Sequence, residues 1–179
     1  FAHGGSLFAV IYYFKEDLAE AIKHYDLSSA DSFLNKLIIA SLPIFLVGFI
    51  FRDFVSENLR TLNTIAISTI LFGFILWGAN YFSKAHSEKK LVSVRDAFLI
   101  GLAQCFALIP GASRSAVTII CALFLSYSRS VSSKFAFMLA IPTLGVIFIS
   151  ELASISFSSF EEGWLNIFLI TFFSFITSY

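Results

Sequence analysis

The stretch AFLIGLAQCFALIPGASRSAVTIICALFLSY, from Ala97 to Tyr127, decides how this chain folds. It is apolar at both ends, but Pro110-Gly111 and the charged residue Arg114 interrupt it near the middle. A helix from Ala97 to Pro110 would be about 21 Å long, which is too short for a hydrocarbon core about 30 Å thick. We therefore predict a re-entrant pair of half-helices over about 97–127, with a polar turn at depth in the membrane. Two short crossings remain the alternative, because loop charges do not separate the two topologies.

The composition of the whole chain indicates that this stretch lies in a membrane. Of the 179 residues, 58% are hydrophobic and 13% are charged, and 23 are Phe. A soluble domain carries about a quarter charged residues, and a water-soluble fold of this size could not bury so much apolar side chain. These values exclude an ordinary soluble enzyme, a disordered chain and a disulfide scaffold. The net charge of zero argues against a nucleic-acid partner.

The segments around the broken stretch predict an all-α, polytopic bundle of transmembrane helices, in one integral membrane domain over residues 1–179. Thr61 to Phe82 is the clearest span, close to the ~20 residues that cross a bilayer. The alternating ~10-residue segments of a membrane barrel are missing. Further helices are predicted at 1–14, Leu37 to Phe51, Phe135 to Ser150 and from Trp164 onward, with a short amphipathic helix at the membrane surface within 15–36. The segments predicted to be loops are 52–60, 83–96, 128–134 and 151–163.

The basic residues of the polar segments predict an orientation. Segments 15–36, 83–96 and 128–134 together carry nine Lys or Arg, whereas 52–60 and 151–163 together carry two. Because cytoplasmic loops carry the excess of basic residues, the first three segments are expected on the cytoplasmic side. The acidic segment 151–163 is then expected on the outside.

The turn at the break has the composition of an anion site. Arg114 is the only charged residue between Asp96 and Arg129. An arginine in an apolar region costs roughly 3 kcal/mol on insertion scales, so it usually has a partner or serves a pathway. Its planar guanidinium suits bidentate binding of phosphate or carboxylate. Ser113 and Ser115 add hydroxyls, and the first amides of the following half-helix point to the same place.

Two neighbours extend this interpretation, and a simpler one competes with it. Thr118 lies one turn after Arg114 on the same side, and Gly111 permits a close approach of the backbone. The simpler interpretation is that Ser113 or Ser115 only caps a helix while Arg114 reaches to lipid headgroups. The residues alone leave both interpretations open, and they do not name the anion.

The run GLAQCFALIPGASRSAVT, Gly101 to Thr118, resembles the second signature of the undecaprenyl-diphosphatase family, the bacitracin-resistance phosphatases. That signature reads approximately G-x-x-Q-x-x-A-L-x-P-G-x-S-R-S-G-x-T. The matching positions are Gly101, Gln104, Ala107, Leu108, Pro110, Gly111, Ser113, Arg114, Ser115 and Thr118. Ala116 departs from the signature, since the family usually has Gly there. HGGSLFAVIYYF, ASLPIFLVGFIF and KFAFMLAIPTLG resemble three further family stretches, so the resemblance runs nearly from end to end.

The resemblance implies a multi-pass enzyme of the bacterial inner (plasma) membrane that removes the terminal phosphate of undecaprenyl diphosphate. The product is the lipid carrier used in peptidoglycan synthesis, and the activity gives bacitracin resistance. Two inverted repeats, each with a re-entrant helix pair, are also implied. The family's first motif, a Glu-rich stretch followed by Ser-Ser-Thr-Gly-His, is expected upstream of residue 1. Residues 1–179 are therefore expected to be a fragment that is inactive by itself.

The same resemblance implies roles for individual residues and partners. Arg114 and Ser113 are the expected catalytic residues, with Arg114 neutralising charge on the phosphoryl oxygens. The expected substrate-binding residues are Gly111, Ser115, Thr118 and Gln104, although core packing explains Gln104 equally well. A divalent cation, Mg²⁺ or Ca²⁺, is the expected cofactor, with its ligands in the first motif. The expected partners are a polyprenyl diphosphate and membrane lipids, and a homodimer is a candidate assembly.

Two other classes of function fit the same residues. A transporter or lipid flippase would use the re-entrant anion site without hydrolysis. A structural membrane subunit would use the broken helix only for packing. Phosphate release from a polyprenyl diphosphate distinguishes the phosphatase from both of these alternatives.

Overall fold

The computed structural model describes residues 2–25, 31–83, 91–153 and 157–178, and within these ranges the chain is helical without strands. This confirms the predicted all-α class. The helices in chain order are α1 Ala2–Tyr13, α2 Lys15–Lys23, α3 Phe33–Ile50, α4 Arg52–Phe54, α5 Leu62–Phe82, α6 Val94–Gln104, α7 Arg114–Phe124, α8 Arg129–Ala153 and α9 Phe157–Ser178. A π-helical turn at Val55–Leu59 lies before α5, and a 3₁₀-helix at Cys105–Leu108 follows α6.

Three helices of the described ranges, α3, α5 and α8, are long and apolar enough to cross a membrane. Each of them overlaps a predicted span. In α5 only Ser68 and Ala79 are buried, while large apolar side chains such as Phe74 and Trp77 are exposed. Lipid solvates such side chains, and a helix satisfies its own backbone hydrogen bonds there. The exposed surface of α5 is therefore that of a lipid-facing helix.

The chain divides into two compact units, residues 1–24 with 140–179 and residues 25–139. In the first unit α1 packs closely against α9. A Cβ on Gly5 of α1 would lie only 2.6 Å from the Cβ of Ser174 in α9. Small residues at this contact allow the close helix approach that is typical of membrane bundles.

In the second unit α6 and α7 pack against each other, with α3 beside α6 and α5 beside α7. α3 and α6 meet at Gly101, where a Cβ would lie 2.7 Å from the Cα of Ala40. Ile100, Met138 and Leu139 are among the fully buried apolar side chains of this unit. The broken stretch therefore lies between two of the candidate membrane spans.

The segment Val94–Phe124 forms a helical hairpin, made of α6, the 3₁₀-helix, a turn and α7. α7 ends where Ser126 adopts a left-handed φ of 67°, the geometry of a helix C-cap. Tyr127 then lies beside the start of α6, where its hydroxyl donates a hydrogen bond to Asp96 Oδ2 at 2.6 Å. The same hydroxyl accepts a hydrogen bond from the Ser93 amide at 3.2 Å. We call these contacts the hairpin base.

Three of the four predicted loops are wrong, and two of these lie at the ends of α8. Segment 128–134 is mostly helical, because Ser128 caps α8 and its Oγ accepts a hydrogen bond from the third amide of that helix at 3.3 Å. The predicted loop 151–163 is wrong as well, since α8 reaches Ala153 and α9 starts at Phe157. A cluster of polar and charged residues favours a loop when only the sequence is considered. The same residues also occur in the last turns of a helix, where they reach the membrane surface.

Further predicted boundaries change for physical reasons. The first half-helix was expected to end at Pro110, but α6 ends at Gln104 because the chain tightens there into the 3₁₀-helix. The predicted loop 52–60 is wrong, because it contains α4 and the π-helical turn.

Residues 84–90, the most charged part of the predicted loop 83–96, lie outside the described residues. The cytoplasmic orientation therefore stays a prediction.

Candidate functional site

The hairpin reverses at Ile109–Ala112, which we call the tip turn. The Ala112 amide donates a hydrogen bond to the Ile109 carbonyl oxygen at 3.0 Å, which closes a β-turn. Gly111 has a φ of +93°, a left-handed value that glycine adopts without a steric cost. Pro110 supplies the fixed φ that the preceding position of a type II turn requires. The Pro-Gly pair therefore joins the two limbs of the hairpin.

The tip turn lies directly against α5. A Cβ on Gly111 would overlap the carbonyl oxygen of Ile65 and the hydroxyl of Ser68. Ser68 Oγ donates a hydrogen bond to the Pro110 carbonyl, and Thr69 Oγ1 donates one to the Gly111 carbonyl at 3.1 Å. Neither hydroxyl is among the site residues predicted from sequence. A Ser-Thr pair inside an otherwise apolar span is the signal that could have indicated them.

Ser113 is the N-cap of α7. Its backbone is extended, and its Oγ accepts a hydrogen bond from the Ala116 amide at 3.4 Å. This bond uses a lone pair of the oxygen, so the hydroxyl proton is available to Ser115 Oγ, 3.2 Å away, or to a ligand oxygen. The Ser113 side chain is exposed and that of Ser115 is half-buried. Capping and anion binding by Ser113 are therefore compatible, not exclusive.

Arg114 is the first residue of α7, and its side chain is half-buried. The hairpin thereby brings Gly111, Ser113, Arg114 and Ser115 together at one end. The first amides of a helix have no partner within that helix, and its dipole favours negative charge there. A guanidinium, two hydroxyls and a helix N-terminus are groups suited to binding phosphate, and the phosphate site itself stays a prediction.

Two of the predicted site residues lie inside the unit. Thr118 is 1% exposed, and its hydroxyl is 3.0 Å from the carbonyl oxygens of both Arg114 and Ser115 in its own helix. Gln104 is fully buried, and its amide has no hydrogen-bond partner among the described residues. Neither side chain belongs to the exposed tip. Their substrate-binding roles stay predictions.

The tip offers hydrogen-bond donors rather than ligands for a cation. A guanidinium and serine hydroxyl protons bind oxyanions, and the positive charge of Arg114 opposes a divalent ion beside it. Within the ranges that the structure describes, no group of three or more His, Cys, Asp or Glu could hold a metal ion. The tip residues therefore do not supply the ligands of the expected Mg²⁺ or Ca²⁺, which the resemblance places in the first motif, and the cation stays a prediction.

Comparison with known proteins agrees with the signature at the tip. The family model of the bacitracin resistance protein BacA matches residues 1–179. The chain is 34% identical over 186 residues to the undecaprenyl-diphosphatase of Alteromonas mediterranea, in a match that covers 99% of this chain and 69% of that protein. It is 37% identical to the undecaprenyl-diphosphatase of Alcanivorax borkumensis and 38% identical to that of Saccharophagus degradans. These two matches cover 79% of this chain and 56% of each relative, little more than half its length.

Proposed function

The chain belongs to the family of the bacitracin resistance protein BacA, and on that premise we propose that it forms part of a membrane phosphatase that hydrolyses undecaprenyl diphosphate. The products are undecaprenyl phosphate and inorganic phosphate. The observation that carries the proposal is the cluster of Ser113, Arg114 and Ser115 at the N-terminus of α7, in a chain whose relatives are named undecaprenyl-diphosphatase. We extend the proposal to recycling of the lipid carrier for peptidoglycan synthesis and to bacitracin resistance.

The lengths of the hairpin limbs support a re-entrant arrangement. α6 and α7 have 11 residues each, or about 16 Å, and the 3₁₀-helix adds about 8 Å to the first limb. Neither limb reaches the ~30 Å of a hydrocarbon core. The hairpin base joins the two outer ends, so both limbs would enter from one face of the membrane. Inverted repeats, with a second hairpin elsewhere in the protein, stay part of the proposal.

Contacts with α5 support a location for the tip. The tip turn meets Ile65, Ser68 and Thr69 in the first half of α5. Arg129 of α8 donates a hydrogen bond to the Asn80 carbonyl, near the other end of α5, at 3.0 Å. In the predicted orientation the start of α5 is external. The anion site would therefore open towards the outer face of the inner membrane, in a multi-pass protein.

We assign each residue of the site a step in the proposed hydrolysis. The diphosphate oxygens bind to the Arg114 guanidinium, the Ser113 and Ser115 hydroxyls and the first amides of α7. Water adds to the terminal phosphorus, the bond from that phosphorus to the bridging oxygen breaks, and negative charge develops on the departing lipid phosphate. Arg114 and Ser113 stabilise that charge, which is the main task of a phosphoryl-transfer site. The proton acceptor for the water would come from the family's first motif, outside these 179 residues.

The cofactor and the assembly belong to the proposal as well. A divalent cation, Mg²⁺ or Ca²⁺, would supply charge neutralisation when bound, and its carboxylate ligands would come from the same first motif. The substrate would be a polyprenyl diphosphate that diffuses within the membrane. A homodimer remains a candidate assembly.

Phosphate release from undecaprenyl diphosphate by the purified full-length protein in detergent tests the function. We expect release by the wild type and a loss of at least about 100-fold in Arg114→Lys, because lysine keeps the charge but loses the two-point grip on phosphate. Arg60→Lys is the matched control, since Arg60 is exposed outside the hairpin, and it should keep normal turnover. Movement of the lipid or of phosphate across sealed vesicles without hydrolysis would instead establish the transporter or flippase.

A further inference from the structure

Two carbonyl groups of the tip turn accept hydrogen bonds from side chains of α5. An anion site at the N-terminus of α7 does not by itself require these bonds. The Ile109 carbonyl closes the turn itself. The next two carbonyls, those of Pro110 and Gly111, each accept a hydrogen bond from a side chain of α5 that lies 42 positions earlier in the chain. Both peptide planes at the chain reversal are therefore fixed by α5.

Thr69 is the clearer of the two donors. A threonine in a helix commonly bonds the carbonyl one turn earlier, whereas Thr69 Oγ1 reaches out of its helix to the Gly111 carbonyl at 3.1 Å. Ser68 Oγ lies 2.7 Å from the Thr64 carbonyl oxygen and also contacts that of Pro110. A hydroxyl proton donates to one carbonyl at a time. Ser68 therefore divides its hydrogen bond between its own helix, at Thr64, and the tip turn, at Pro110. Loss of the Thr69 hydroxyl should therefore have the larger effect.

Apolar contacts hold the same elements together without these hydroxyls. Ile120 and Leu123 of α7 pack with Ala79 of α5 in a buried cluster. The ring of Phe72 in α5 lies 6.4 Å from the ring of Phe106 in the 3₁₀-helix. The two hydroxyls are thus not needed to dock α5 on the hairpin. They act where the chain reverses, four residues or fewer before Arg114.

We propose that Ser68 and Thr69 are positioning residues of the phosphatase reaction. Their hydroxyls hold the tip turn so that Arg114 and the first amides of α7 face the diphosphate in one orientation. This inference rests on the proposed function, and it adds to the site two residues that do not touch the substrate. Donors that act on charge developing in the transition state change kcat more than KM when they are misplaced.

Substitution of the hydroxyls in the full-length protein tests the inference. Thr69→Val removes the hydroxyl and keeps the shape, and we expect kcat to fall about tenfold while KM changes less than about twofold. Thr69→Ser restores a hydroxyl, and kcat should return to within about threefold of wild type. Thr177→Val is the matched control, since Thr177 Oγ1 bonds the Phe173 carbonyl of its own helix at 2.9 Å, and its kcat should be unchanged. Thermal unfolding in detergent confirms that each variant is folded.

The outcomes separate this inference from the proposed function. If Arg114→Lys is inactive while folded Thr69→Val keeps wild-type kcat, the positioning role is wrong and the phosphatase site stands. If Arg114→Lys is fully active, the anion site itself is wrong. Should Thr69→Val unfold, Ser68→Ala carries the test, because it removes one atom from a helix that stays packed on α7. Unchanged kcat in folded Ser68→Ala would then overturn the inference, and a fall with unchanged KM would support it.

Discussion

The hydroxyl of Tyr127 donates a hydrogen bond to Asp96 Oδ2 at 2.6 Å, and so joins a residue just after α7 to the first turn of α6. Tyr127 is only 2% exposed, which shields this bond from competing water. At the opposite end of the hairpin, Ser68 and Thr69 of α5 hold the tip turn. The hairpin is thus fixed at both ends. A hairpin fixed in this way presents Arg114 in a defined place.

Replacement of Tyr127 by Phe should destabilise the protein while leaving the packing of the ring intact. A hydrogen bond to a carboxylate contributes about 1.5–3 kcal/mol, so we expect a loss of that size in the free energy of unfolding. Denaturation of the full-length protein in detergent measures it. Tyr81→Phe is the control, because Tyr81 is 73% exposed and should lose nothing measurable. An equal loss of unfolding free energy in Tyr127→Phe and Tyr81→Phe would show that the hydrogen bond at the hairpin base does not stabilise the protein.

The stability that Tyr127 contributes should depend on pH at the alkaline end. Burial, and then the hydrogen bond to Asp96, raise the pKa of Tyr127 above the ~10 of a free tyrosine. Because the folded-state pKa is the higher one, this contribution is complete below pH ~10 and is lost as the pH rises through the folded-state value. The difference in unfolding free energy between wild type and Tyr127→Phe should therefore shrink as the pH rises above about 10. A difference that stays constant above that pH would show that the hydroxyl does not titrate in this way.

Gly111→Ala should disrupt the tip turn. The φ of +93° costs a residue with a Cβ about 1–2 kcal/mol, and the added Cβ would overlap Ile65 and Ser68. We expect lower stability and a loss of phosphatase activity beyond about tenfold, since the turn must move away from α5. Gly73→Ala in α5 is the matched control, because a Cβ there meets nothing within 4 Å. Retention of full activity by Gly111→Ala would mean that the tip turn is not held by α5.

The predicted orientation can be checked with single cysteines in a background without Cys105 and Cys121. Ser87 lies in the basic segment expected on the cytoplasmic side. Asn58 is exposed in the π-helical turn on the opposite side of α5, where the chain is expected to be external. An impermeant thiol reagent added to intact cells should label position 58 and spare position 87. The reverse labelling would invert the topology and place the tip near the cytoplasmic face.

The sequence by itself determined the features that depend on local composition and on neighbouring residues. Apolar content places the chain in a membrane, because water cannot solvate so much exposed hydrocarbon. Pro110-Gly111 marks the reversal of the chain. Proline fixes its own φ, and glycine adopts a positive φ that other residues rarely adopt. Ser113, Arg114 and Ser115 are adjacent in the chain, so any fold with a helix start there brings them together. Thr61 begins α5 as a local cap, with its Oγ1 accepting the Thr64 amide at 3.2 Å.

Only the tertiary structure decided which side chains hold the site in place and which of them turn inward. Thr69 and Gly111 are 42 positions apart, and Tyr127 and Asp96 are 31 apart. A hydrogen bond between such residues depends on how helices pack, and the sequence around one residue does not encode which distant partner its side chain meets. Thr118 shares the face predicted for Arg114, yet α7 buries its side chain against the rest of the unit. Whether a side chain on a helix is buried or exposed is decided by the neighbours that the helix packs against, and these come from distant parts of the chain.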